Sequence, residues 1–158
     1  MSLRLRPLRD NELDTYAELS RQDYARTLES QAGAPREHAL EKARTDLERL
    51  WPDGRPGAGQ LIFRVEDEET GQAYGYLWLA EREISGRRVI WIYDVSIDER
   101  FRGRGLGRET MRLAEAEAKV RGLDRIDLNV FGGNDVARGL YRSLGYEELT
   151  VWMGKNLE

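Results

Sequence analysis

Two rhythms of apolar residues alternate along the chain, and the places where one gives way to the other mark its elements. Leu3, Leu5 and Leu8 alternate with arginine, which predicts a first strand ended by Pro7. Asp10 then reads as a helix N-cap, with Glu12 and Asp14 in the first turn where acids suit the helix dipole. Leu13, Tyr16, Ala17, Ser20, Tyr24, Thr27 and Leu28 fall on one helical face, predicting a helix over about 11–30. Gly33-Ala34-Pro35 interrupts it, and Pro35 suits the start of a second helix whose buried stripe is Ala39, Ala43, Leu47, Leu50 and Trp51. The proline- and glycine-rich residues 51–59 form a loop, too short for a domain linker.

The rhythm then shortens. Residues 61–66 and 73–80 are β-rich and flank an acidic turn containing Gly71, so they pair as a hairpin. Ser85-Gly86-Arg87 turns the chain into a third strand of the meander, 88–97. A helical period covers 107–121, closed by Gly122 at C′, and 125–130 alternates again as a strand. A strand–helix–strand unit implies parallel pairing through a right-handed crossover. Asn134 is a natural N-cap for a last helix with Ala137, Leu140, Tyr141 and Leu144 on one face, and Gly145 ends it. Residues 146–155 read as one or two closing strands. The element order gives an α+β fold, an α/β/α-layered arrangement with a mixed, mostly antiparallel sheet and helices on both faces, in one domain spanning 1–158.

Composition narrows the function. With 158 residues the chain can bury a sizeable core, and 40 % hydrophobic with 34 % charged residues describes an ordinary globular protein. The absence of cysteine excludes disulfides and thiolate chemistry, and a single histidine, His38, gives no metal cluster. A net charge of −4, with arginines dispersed among acids, argues against a nucleic-acid surface. No apolar run spans a membrane and Met1-Ser2-Leu3-Arg4 does not open a leader, so a cytoplasmic protein is expected. A homodimer stays open.

The candidate chemistry begins where the 88–97 strand runs into Arg102-Gly103-Arg104-Gly105-Leu106-Gly107-Arg108 and then a helix. Glycines bring the backbone close to a ligand, the helix start offers unpaired N–H groups, and arginines meet anionic oxygens. The spacing is neither a nucleotide P-loop nor a dinucleotide fingerprint. By itself such a turn serves equally as a plain strand-to-helix connection.

Arg102-x-x-Gly105-x-Gly107 after an apolar strand resembles the acetyl-CoA signature of the GNAT superfamily of N-acetyltransferases. Asn134, Ala137, Leu140-Tyr141 and Leu144-Gly145-Tyr146 resemble its second motif, so the likeness covers about 88–147. It implies acetyl-CoA as cosubstrate, no metal, and transfer to a primary amine of a small molecule or peptide. Val95, Ser96 and Ile97 would border the pantetheine arm, which lies beside the central strand as an added strand would. Arg102 to Arg108 would hold the pyrophosphate, and Asn134 would touch the arm from the other side while also capping its helix. Tyr141 would be the acid that protonates the leaving thiolate; its spacing equally suits a core tyrosine. Asp94 is a candidate base for the amine, or else faces solvent or an arginine. Some relatives carry an acid where this chain has Tyr93. Tyr24, Tyr74, Tyr76 and Trp78 could line the acceptor pocket or simply build the core. The alternative reading is a binding module, an acyl-CoA sensor that has lost transfer.

Overall fold

The structure, a computed structural model, describes residues 2–158; Met1, one of the four residues read for a leader, lies outside them. Five strands form one sheet in the order β1-β2-β3-β4-β5: Leu3–Pro7, Gln60–Asp67, Ala73–Ile84, Arg87–Ile97 and Ile126–Leu128. The first four pair antiparallel, and β5 pairs parallel to β4. The helices are α1 (Asp10–Ala32), α2 (Arg36–Leu50), α3 (Leu106–Val120) and α4 (Asp135–Ser143). The mixed sheet with helices on both faces is the expected α+β fold.

Alternation along the strands divides the core between the two faces. One face carries Val65, Leu77, Leu79, Ile90 and Ile92 against Leu106, Met111, Ala114 and Ala118 of α3. Each such buried aliphatic side chain contributes about 1.5–3 kcal/mol. The other face is aromatic: Ile62, Trp78, Tyr76 and Tyr93 meet Leu13 and Tyr16 of α1 and Trp51 after α2. Tyr16 packs on Tyr76 with ring centroids 4.5 Å apart, and Trp51 meets Trp78 edge-on at 5.7 Å. Ala25 and Leu28 close on Ala39 and Ala43, whose small side chains let α1 and α2 approach. The β3–β4 hairpin turns on Ser85 and Gly86, both at positive φ, the conformation a two-residue turn of this twist demands.

Several boundaries differ from those expected. Arg9, not Asp10, occupies the N-cap of α1; its N–H donates to Glu12 Oε1 at 2.9 Å, and Asp10 is the first helical residue. Glu12 also receives two bonds from Arg6, which pins α1 to β1 and holds the Glu12 carboxyl down at about 2. The last strand is three residues long rather than six, because β4 offers it a partner only at 90–92. The closing strands expected over 146–155 are absent: the segment has no ladder partners, and beyond the half-buried Tyr146 it is exposed.

Candidate active site

The site is built on an irregularity in β4. Trp78 pairs with Asp94 and Leu79 with Ile92, so Tyr93 is an extra residue, a β-bulge. Before it, Ile90 and Ile92 face the aliphatic core; after it, Val95 and Ile97 face that core again. The bulge thereby turns Asp94 with Tyr93 toward the aromatic face, where strict alternation would have sent it to the other. It also ends the partnership with β5. That strand pairs with residues 90–92 only, and beyond them β4 has β3 on one side and, among the described residues, no strand on the other. Gly75 lets the hairpin stay tight at this point: a Cβ there would stand 2.0 Å from the Ser96 carbonyl oxygen.

Asp94 neither points to open solvent nor meets an arginine. Its Oδ2 accepts from Tyr16 Oη at 2.6 Å and, more weakly, from Ser96 Oγ at 3.3 Å. It is only partly screened from water by area, yet protein packs so closely around it that desolvation pushes its pKa up to about 6, against the lowering pull of its two hydrogen bonds. Tyr16 is buried, and burial beside this carboxylate raises its own pKa well above the ordinary value, so it acts as a donor. Its role could not be read from the sequence, where Tyr16 is one member of an amphipathic stripe.

Where β4 ends, Asp98 caps a short turn and the chain enters residues 102–108. Gly103 and Gly105 have φ of 78° and 77°, a region in which a side chain is strained, and Gly105 is the N-cap of α3. Gly107 is already helical and lies under Leu140 of α4, so its role is packing. Leu106 is buried and anchors the turn. The first-turn amides of α3, at Leu106, Gly107 and Arg108, are those a helix leaves without internal partners. Two arginines have structural partners: Arg102 Nε donates to the Ile97 carbonyl at 2.9 Å, and Arg108 to Ser143 Oγ at 2.8 Å. They clamp the turn to β4 and α3 to α4. Arg104 lies over the Phe101 ring, 5.6 Å from its centroid, and is exposed.

Asn134 caps α4, its Oδ1 accepting from the Ala137 amide at 3.2 Å. Tyr141 is half-buried against the aliphatic core, near Tyr146 with centroids 5.8 Å apart. Burial first, and then the Asp94 charge, raises its pKa, so its hydroxyl keeps its proton at neutral pH. Among the expected pocket residues, Tyr76 and Trp78 join Tyr16 on the aromatic face. Tyr74 is displaced by a second bulge and packs with Phe101 on the opposite side. Tyr24 donates to Asp46 at 3.1 Å between α1 and α2. Among the described residues no group of three or more His, Asp or Glu could hold a metal ion, and no helix is long and apolar enough to cross a membrane.

A strand edge leading into a glycine turn and a helix N-terminus is the arrangement that the sequence likeness implied, and comparison with known proteins supplies the class. Residues 16–146 match the model of the acetyltransferase (GNAT) family, and the chain belongs to that family of acetyltransferases, which use acetyl-CoA. The uncharacterized N-acetyltransferase YdgE of Bacillus subtilis is 26 % identical over 157 residues, covering 99 % of both chains. The crystal structure of Bacillus subtilis YycN, also an uncharacterized N-acetyltransferase, superposes with a TM-score of 0.91 at 24 % identity over 99 % of each chain. The aminoglycoside N-acetyltransferase AAC(6')-Iy in complex with CoA shares the fold at a TM-score of 0.62 and 16 % identity, over 99 % of this chain and 95 % of that one.

Proposed function

We propose that this acetyltransferase transfers the acetyl group of acetyl-CoA directly to a primary amine, bound with it in a ternary complex. The observation that carries the reading is the free edge of β4 at 93–97 running into the Gly103–Gly105 turn. A pantetheine arm takes such an edge through its amides. The first-turn amides of α3, without partners inside the helix, together with Arg104 suit a pyrophosphate. Val95 and Ser96 supply the strand edge. Ile97 contributes less, since its carbonyl is engaged by Arg102. Asn134, at the start of α4, borders the arm from the opposite side.

Asp94 and Tyr141 divide the proton work. A protonated amine has no lone pair to attack with. Asp94, with a pKa of about 6, is mostly ionised at neutral pH while remaining basic enough to accept a proton, and Tyr16 and Ser96 hold it in place. The amine nitrogen then forms a bond to the thioester carbonyl carbon, the carbon–sulfur bond breaks, the thiolate takes the Tyr141 proton, and the second proton that the nitrogen sheds on becoming an amide restores the Tyr141 hydroxyl. Tyr76 and Trp78, on the same face as Asp94, border the acceptor.

Replacing Tyr141 with phenylalanine should lower kcat by about 10²–10⁴-fold while leaving acetyl-CoA affinity unchanged by calorimetry. Wild-type turnover in that variant would remove Tyr141 from the chemistry. A wild-type protein that binds acetyl-CoA yet consumes none across a broad panel of amines would be a binding module instead.

A further inference from the structure

The aromatic face of the sheet does not end at Asp94. Because Tyr93 is the extra residue of the bulge, Trp91, Tyr93 and Asp94 stand in line on that face, while Ile90 and Ile92 point to the aliphatic core. The Tyr93 ring lies 4.8 Å from Trp78 and 6.4 Å from Trp91, centroid to centroid. Trp91 and Tyr93 are only half-buried, so neither is wholly covered by protein.

A cation closes the row. Arg82 of β3 holds its guanidinium 4.6 Å from the Trp91 ring centroid and 5.9 Å from that of Tyr93. Stacking uses the flat face of this group and leaves the N–H groups on its edge available. Arg82 is exposed, and among the described residues no acceptor takes an N–H of its guanidinium.

The arginines around it are differently placed. Arg87 is paired with Asp124, Arg88 with Glu81, Arg121 with Glu117 and Arg125 with Asp127. Asp127, which stands opposite Trp91 in β5, is therefore already taken. Glu81 and Glu83, the chain neighbours of Arg82, alternate to the other face, where Glu81 meets Arg121 at the end of α3. What remains on the aromatic face is a single guanidinium, seated on two rings, with its donors turned outward. Its natural complement is a planar carboxylate, which takes two parallel N–H bonds.

We infer that Arg82 binds a carboxylate of the acceptor whose amine meets Asp94, so that the acceptor is a short amino carboxylate lying across Tyr93 and Trp91. This rests on the reading of Asp94 as the base. Trp91 and Asp94 are three residues apart, roughly 10 Å along a strand. An extended peptide of three residues spans about the same length, so its two free ends fit the two ends of the row. A zwitterion of this shape meets an anion at one end and a cation at the other, which fixes its direction. An amine without the carboxylate is held at one end only.

Triglycine and triglycinamide test this, since they share the amine and differ in one group, a carboxylate against a carboxamide. With acetyl-CoA, kcat/KM for triglycine should exceed that for triglycinamide roughly tenfold, and calorimetry on the protein saturated with CoA should give the same ratio in Kd. Diglycine, too short for the row, should show no such preference over its amide. Arg82→Gln should bring both triglycine ratios to about one, and Arg82→Lys should keep part of them, because a point charge remains without the planar fork. Arg87→Gln, on the same hairpin, should leave them as they are. Equal affinity for the two tripeptides in the wild type, no measurable binding of triglycine, or a preference that survives Arg82→Gln would each overturn the inference. Binding of triglycine that depends on Arg82, with neither peptide acetylated, would keep the carboxylate site and remove the transfer to an amine. Acetylation of both peptides at equal rates would do the reverse.

Discussion

Residues 90–92 and residues 93–97 of β4 belong to one strand and look alike in apolar pattern, yet they do opposite things. The first part is hydrogen-bonded on both sides, to β3 and β5, and buries Ile90 and Ile92. The second is bonded on one side only, and none of its residues is fully buried. A single extra residue, Tyr93, separates them. It ends the parallel ladder, opens the edge and swings Asp94 round to Tyr16. Core and site are thus made from the same strand by changing how many neighbours it has.

The comparison can be broken most forcefully at Gly75. Gly75→Ala puts a methyl group 2.0 Å from the Ser96 oxygen and must push β3 from the second part of β4. A loss of about 3 kcal/mol is expected, read from urea unfolding, with acetyl-CoA binding lost in whatever remains folded. Unchanged stability would mean that the hairpin is not tight there.

A smaller effect separates the two parts by charge. The folded pKa of Asp94, about 6, lies above the ordinary 3.8, so the folded state holds that proton more tightly. The stability this contributes is complete below about 3.8 and is lost as pH rises to about 6. Asp94→Asn should therefore stabilise the protein above that range by about 1–2 kcal/mol, less than the full shift implies because the group is partly hydrated, and should do nothing at low pH. The same group should set the acid limb of kcat/KM, rising through about pH 6 in the wild type. Tyr16→Phe removes a bond to the carboxylate and should move that limb upward; a limb that stays in place would detach Tyr16 from the base.

The gentlest test is Ile92→Val in the doubly paired part. It should cost about 0.5–1.5 kcal/mol in unfolding and leave KM for acetyl-CoA and the pH profile as they are. A changed pH profile would show that the two parts are not separable.

Much of this was legible along the chain. The helical periods of α1 and α3, the hairpin chemistry of Ser85-Gly86, the cap at Asn134 and the glycine turn at 103–105 are local, set by steric preference and spacing within a few residues. The free edge of β4 was legible only as an implication of the family likeness, and two events that depend on distant neighbours were not legible at all. The bulge at Tyr93 follows from how β4 must fit β3, and no feature of its own residues marks it. The alternation of 146–155 reads as closing strands that do not form, because whether a strand forms depends on a partner edge and not on the pattern of its own residues.

The sequence by itself determined the family, the glycine turn at 103–105 and the order of elements as far as α4, because those rest on short-range patterns. Only the tertiary structure decided that Asp94 is held by Tyr16, 78 residues away, that Arg102 and Arg108 act as clamps, and that residues 147–158 lie open. Hydrogen bonds and burial join residues through space, and a carboxylate's pKa depends on what surrounds it rather than on what precedes it in the chain.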